Sequence, residues 1–428
     1  MRRSVNIVFM QSSGDLKAKP SRGDKTICLP FESEEQYQNC LKVRKSYRQH
    51  LERMRTQYPE LFPSEMEQGF RFFGSYQSKK QQQSLRRLQM KANKEVYQVR
   101  PSFLLPYQVA RTDDVEKAIY LRQWDVPFEA LAHVFGRDAM YWSDLIASFG
   151  RPSLLGATVK DTGKLPADLV SDEKHTRLNG KRVYLATTAA QGCILGASIA
   201  KSAGTEALTA AYGEFAAEAR QINPDYAPQS ICCDGWDATH KTWRALFSTI
   251  TIIRCFLHSV LKIRDRCKKD KVLWDEIKER VWNAYHAETR RQFVQRLRRF
   301  REWATNSLPQ GAIRQAVLAL CLKRTEFTIA YDFPTAYRTS NTVDRLMDHQ
   351  DRCLYARKYL RGNIAHATRV VRAHALLWNF HPYGARIRRT NPTRTSPAAE
   401  LNGFQYHENW LHNLLIAASI GGRRAAST

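Results

Sequence analysis

The spacing of apolar residues changes along the chain, and each change predicts an element. Residues 1–33 lack periodicity and are punctuated by Gly14, Pro20, Gly23 and Pro30, so they read as irregular. From Glu34 to Gln57 an apolar stripe (Leu41, Val43, Tyr47, Leu51, Met54) recurs at helical spacing among basic residues, and Pro59 and Pro63 end it. A second basic stretch, Lys79 to Lys94, carries Arg86, Arg87, Lys91 and Lys94. It reads either as a solvated helix face or as a phosphate-contacting surface. The expectation for 1–105 is a basic, mostly helical N-terminal region.

Thr112-Asp113-Asp114-Val115-Glu116 is a helix start, with an acid three residues before a glutamate. That helix runs to about Gln123. Pro127 restarts a second, with Phe128, Leu131, Ala132 and Phe135 on one face. Gly136-Arg137-Asp138 turns the chain into a third, with Met140, Tyr141, Trp142, Leu145, Ile146 and Phe149. Two short helices, a glycine turn and a further helix suggest a helix-turn-helix-like DNA-binding module over 106–155; a plain three-helix packing unit has the same pattern. Residues 151–166 read as a linker.

The period then becomes that of strands. Asp168–Asp172, Arg182–Thr188 and Cys193–Ala200 are joined by turns at Asn179-Gly180 and Gln191-Gly192, which predicts an antiparallel meander. A helix follows from about Thr205 to Ile222, then a short buried strand, Ser230–Cys233, ending at Asp234-Gly235. A helix over His240–Phe247 and an apolar run, Ile250–Ile253, come next. Residues 269–330 return to helical spacing, with Trp274, Ile277, Val281 and Tyr285, then Phe293, Leu297, Phe300 and Ala304 among Arg290, Arg291, Arg296, Arg298 and Arg299. A helix carrying Asp344, Asp348 and Arg352 and a core helix over Val370–Phe380 complete the body. Beyond Pro382, Arg386, Arg388, Arg389 and Arg394 suggest a basic arm, with amphipathic helix again over 401–421.

Composition narrows the function classes. The formal net charge is +26, from 67 basic and 41 acidic residues, and favours a polyanionic partner. Nine cysteines without disulfide-like spacing, and an N-terminus too weakly apolar for a signal peptide, imply a reducing, intracellular setting. No run approaches the roughly 18 apolar residues of a membrane span.

Three acids stand out by context: Asp172 in the first strand of the meander, Asp234 ending the fourth, and Asp344 on the helix after the insertion. A carboxylate at a buried strand end is costly unless it is paired, hydrogen-bonded or metal-bound, although an isolated one is commonly a turn former or helix cap. Three strands, a helix and then a central strand is the order of an RNase H-like sheet, in which the first and fourth strands are neighbours. Clustered carboxylates repel, and two divalent ions about 3.5–4 Å apart would relieve that repulsion and drive phosphodiester chemistry. Asp172 and Glu173 are adjacent, so only one can face Asp234.

The sequence resembles the DDE/D transposases of the Mutator-like superfamily and their bacterial insertion-sequence relatives. The resemblance is carried by Asp172 before Lys181-Arg182-Val183-Tyr184, by Ile194-Leu195-Gly196, by Asp234-Gly235, by Cys255-x-x-His258, and by Thr339-Ser340-Asn341-Thr342-Val343-Asp344-Arg345, over roughly residues 165–380. It implies an α/β fold: an RNase H-like mixed sheet flanked by helices, interrupted by an all-α insertion and preceded by the helix-turn-helix-like region. The catalytic core would occupy 160–268 and 335–385, the insertion 269–334, and a basic tail 386–428.

The implied activity is DNA cleavage and strand transfer at the ends of a mobile element. Asp172, Asp234 and Asp344 would hold two Mg²⁺ or Mn²⁺ ions, supported by Gly235, Cys255, His258, Ser340, Asn341 and Arg345. The family places Glu where this chain has Asp344, which also suits an inactive or repurposed DNA-binding descendant; Asp348 and Asp332 are alternatives for the third acid. Cys255 and His258 with Cys232 and Cys233 do not make a standard zinc spacing. Arg137, Arg86, Arg87, Lys91, Arg290 and Arg291 are candidate DNA contacts. The implied partners are double-stranded DNA and a second copy of the chain, in the bacterial cytoplasm at the nucleoid.

Overall fold

The computed structural model describes residues 22–79, 81–106, 108–355 and 359–426; most of the irregular stretch 1–33 lies outside these. The fold is α/β, with two mixed sheets flanked by helices. Among the described residues no helix is long and apolar enough to cross a membrane.

The central sheet grows from local turn chemistry. Strands β5 (Asp168–Leu178), β6 (Lys181–Ala190) and β7 (Cys193–Ala200) form an antiparallel meander. Its two turns, Asn179-Gly180 and Gln191-Gly192, have positive φ at both residues, the geometry that matches strand twist in two-residue hairpins. β8 (Ser230–Cys233) then lies parallel to β5, and β9 (Thr251–Arg254) parallel to β8, giving the order β7-β6-β5-β8-β9. β8 is buried throughout and β9 buries Ile252 and Ile253, as strands covered on both faces do. One face is covered by the helices Thr205–Ile222 and Asp237–Leu246, through Phe215, Tyr212 and Trp243. The other is covered by Asn341–Tyr355 and Ile364–Phe380. The helices Lys271–Tyr285, Arg290–Ser307 and Ala312–Leu322 pack around their own apolar cluster, which includes Ile277, Phe293 and Phe300.

The N-terminal region departs from the helical expectation. The helices Glu34–Lys42 and Arg44–Gln57 are present, split at Val43. The basic stretch Lys79–Lys94 is largely strand. β1 (Thr26–Leu29), β2 (Phe70–Ser78), β3 (Gln83–Met90) and β4 (Val96–Pro101) form a second sheet in the order β1-β4-β3-β2. A register shift in β2 between Phe72 and Ser75 disturbs the two-residue period there.

Two connecting segments are core. In the expected linker, Leu154–Thr158 is a buried helix, and Lys160 is buried with its Nζ donating to the carbonyls of Gly156, Ala417 and Arg424. In the expected basic tail the helix Ala385–Thr390 presents exposed arginines, but much of the rest is buried. Trp410–Ala417 is buried throughout, and Ser419 Oγ accepts from the Cys28 amide at 3.0 Å, tying the C-terminus to β1.

The three helices of 106–155 are Thr112–Gln123, Phe128–Phe135 and Ala139–Ser148. The third, which would enter a DNA groove, buries Trp142 and Leu145–Ser148. It ends so close to Ile364–Phe380 that a Cβ on Gly150 would fall 1.8 Å from the Arg369 carbonyl oxygen. Its exposed surface is therefore short, around Arg137, Met140 and Asp144.

Candidate active site

The parallel register of β5 and β8 builds the site. Asp168 lies opposite Ser230, Leu169 opposite Ile231 and Val170 opposite Cys232. The pairing stops there; Asp172 and Asp234 each follow two residues later, close enough for the charge of Asp234 to act on Asp172. Glu173 points the other way. It is buried and accepts hydrogen bonds from Tyr212 Oη and Thr239 Oγ1, each 2.8 Å. Burial, against the help of those two hydroxyls, pushes its carboxyl up to about 7.

Asp344 arrives on the helix Asn341–Tyr355, which crosses this face. Lys174, two residues beyond Asp172, pairs with Asp351 and reaches the Met347 carbonyl, and Thr187 bonds Gln350. Ser340 fixes the start of the helix. It is fully buried; its amide donates to Cys255 Sγ at 3.1 Å, and its hydroxyl lies 3.3 and 3.4 Å from the Asp344 carboxylate oxygens and 3.4 Å from His258 Nδ1. Ser340 thus joins the Cys255-x-x-His258 pair to the third acid.

The chain supplies its own countercharges. His258 Nε2 lies 3.8 Å from Asp172, and Lys262, one turn along the same helix, lies 4.0 Å from Asp234. Burial alone would lower the His258 pKa; its hydrogen bond with Cys255 and the charges of Cys255, Asp172 and Asp234 overcome this and raise it to about 9. Burial opposes ionisation of Cys255 too, but hydrogen bonds with Cys232, His258 and Ser340 carry it well below the usual thiol range.

The acids feel one another. Burial, and then the Asp172 charge, push Asp344 up to about 6. Burial also raises Asp172, with Asp234 adding to the shift and His258 opposing it. Asp172 Oδ1 and Asp234 Oδ1 each accept an amide bond from the next residue, Glu173 and Gly235. A Cβ on Gly235 would fall 1.7 Å from Arg254 Nη1, and Arg254 is itself held by Glu326.

Among the described residues no group of three or more His, Cys, Asp or Glu is arranged to hold a metal ion. The donor chemistry nevertheless fits a hard divalent cation: carboxylate oxygens, with Asp344 raised in part by the charge of Asp172 and Asp172 in part by that of Asp234. The contacts of His258 and Lys262 with these acids are those a metal would have to replace.

The other candidates are dispersed. Asp348, Asn341 and Arg345 are exposed, and Asp332 pairs with Arg290 outside the site. His240 Nε2 lies 2.9 Å from the Asp234 carbonyl oxygen. Cys232 and Cys233 belong to opposite faces of β8, so they do not join one ligand set. Arg86 bonds the Leu41 carbonyl and stacks on Tyr47 and Phe72, as a packing residue does. Lys91, Arg137 and Arg291 are exposed. Sequence reasoning missed Lys262, whose signal is its four-residue spacing from His258, and the Arg254–Glu326 pair, which carries none.

No protein-family model matches the chain, and no curated protein matches it.

Proposed function

We propose that the protein is a metal-dependent DNA transposase, cleaving the ends of a mobile element and joining the freed 3′-hydroxyl to target DNA. The observation that carries this reading is the convergence of three acids: parallel β5 and β8 lead into Asp172 and Asp234, and Asp344 lies near enough for the charge of Asp172 to raise it. The strand order β7-β6-β5-β8-β9 agrees with an RNase H-like sheet.

In this reading Asp172, Asp234 and Asp344 would hold divalent ions, Mg²⁺ or Mn²⁺. When bound, such ions supply the charge that activates a water or 3′-hydroxyl and stabilises the leaving oxygen. Ser340 orients Asp344. His258, its pKa raised beside Cys255, Asp172 and Asp234, offsets the charge of the acids in the absence of metal. Glu173, on the far face, sets the pitch of β5 and takes no part in the chemistry. Exposed cations such as Arg137 and Arg291 hold the DNA backbone.

A second reading, a DNA-binding protein that no longer cuts, draws on the short third acid and on acids already paired with His258 and Lys262. Purified protein, plasmid-borne element ends and Mg²⁺ separate the readings. Joined products support the transposase, cut but unjoined ends point to a nuclease, and binding without cutting to the second reading.

A further inference from the structure

A cleft of about 910 Å³ lies away from the acids, between one face of the N-terminal sheet and the helices Ala139–Ser148 and Trp410–Ala417. Cross-strand neighbours share a sheet face. Tyr76 lies opposite Leu85, Arg87 opposite Gln98, and Gln98 opposite Thr26, and all five line the cleft. The far wall is apolar, with Phe149, Leu414 and Leu415.

Two arginines of the floor keep buried donors without partners. Arg100 is 7% exposed; its Nη1 donates to the Leu104 carbonyl, but its Nε has no hydrogen-bond partner among the described residues. The Nε of Arg87, which stacks over Phe73, is buried and unpartnered in the same way. A buried donor left unpaired is costly, and a ligand acceptor removes that cost. Of the lining, Tyr76 is 51% exposed, beside exposed Lys79. The acid of the lining, Asp24, is paired with Arg423.

A ligand for this cleft needs anionic oxygens for the guanidiniums and flat rings for Tyr76 and the apolar wall. The volume falls within the roughly 300–1,000 Å³ of sites that enclose small ligands, too narrow for a duplex. Aromatic platforms beside a cationic track are how unpaired nucleic acid is held. We propose that this cleft binds a single-stranded stretch of nucleic acid, with bases stacked on Tyr76 and phosphates met by Lys79, Arg87 and Arg100. The site is separate from the acid groove and needs no metal.

The test is fluorescence anisotropy, without divalent cation, using a labelled oligothymidylate of about 15 nucleotides and a duplex of equal length. The double variant Tyr76→Ala/Lys79→Glu, both exposed positions, is expected to weaken oligothymidylate binding about tenfold while duplex binding stays within about threefold. Arg87→Gln, with an unchanged melting temperature, is expected to weaken it similarly. Lys271→Glu, on the helical insertion, is the control for charge alone. The proposal is overturned by a wild-type protein that does not bind oligothymidylate, by cleft variants that bind like wild type, or by an equal loss in Lys271→Glu. Because no cutting is measured, failure here leaves the transposase reading standing, and a chain that never cuts DNA can still pass.

Discussion

The acid groove and the N-terminal cleft balance charge in opposite ways. In the groove every carboxylate has been given something: Asp172 faces His258, Asp234 faces Lys262, and Asp344 faces Ser340. In the cleft, Arg87 and Arg100 keep buried Nε donors that the described chain does not satisfy. In the proposed reading the groove's own cations hold its acids until metal replaces them, whereas the cleft would take its complement from an anionic ligand. The two sites would then differ in that one exchanges partners and the other acquires one.

The largest expected effect tests the cationic side. Duplex binding that neutralises six to ten phosphates should weaken by about 10³–10⁵ between 50 and 200 mM salt, measured as the slope of log affinity on log salt. A flat slope breaks the electrostatic half of the comparison.

The acid side is sharpened by two neighbours on β5. Asp172→Asn should lower strand cleavage by roughly 10³-fold. Glu173→Gln, which keeps acceptors for Tyr212 and Thr239, should lower it less than about threefold. Equal losses would mean that both residues act through the strand and not through the groove.

Acid should loosen the helix that carries Asp344. His349 is buried on it against Trp378, and burial, with Arg352, His381 and Arg122, lowers its pKa to about 3. The unfolded chain takes up this proton near pH 6.5 and the folded chain does not. Stability is therefore fully present above pH 6.5 and falls as pH drops toward 3, by up to about 5 kcal/mol from this one group. His349→Phe should flatten the profile of melting temperature over that range; an unchanged profile assigns the acid sensitivity elsewhere.

The smallest expected effect concerns Ser340→Ala. It should cost about 1–2 kcal/mol in denaturant melts and roughly tenfold in cleavage, through misplacement of Asp344. Lost stability with full cleavage would make Ser340 a packing residue only.

How far the sequence declared these regions follows from their local physics. The groove was legible because its strands are set by positive-φ Asn-Gly and Gln-Gly turns, and its acids follow a fixed strand register. The extent of β5 was not, because its second half reads as polar (Lys174, His175, Arg177) while pairing β6 to Leu178. The N-terminal sheet was misread as helix for a similar reason. In β3 the buried Leu85 and Leu88 are three residues apart, across from the shifted register in β2, so the spacing imitates a helix face. In the C-terminal segment the helix expected over 401–421 is an amphipathic one; Trp410–Ala417 is instead buried on every side, and uniform burial leaves no period to show it. The cleft was invisible for a plainer reason: its wall joins β2, β3 and β4 to residues more than 300 positions later, and no local pattern encodes that meeting.

The most direct test of the central claim is nicking of element-end DNA by wild-type and Asp234→Asn protein across a Mg²⁺ titration. Mg²⁺-dependent nicking by the wild type and its loss in Asp234→Asn, with duplex binding intact, are the expected result. Nicking that persists undiminished in Asp234→Asn, or a wild type that binds the ends and never nicks them at any Mg²⁺ concentration, would contradict it.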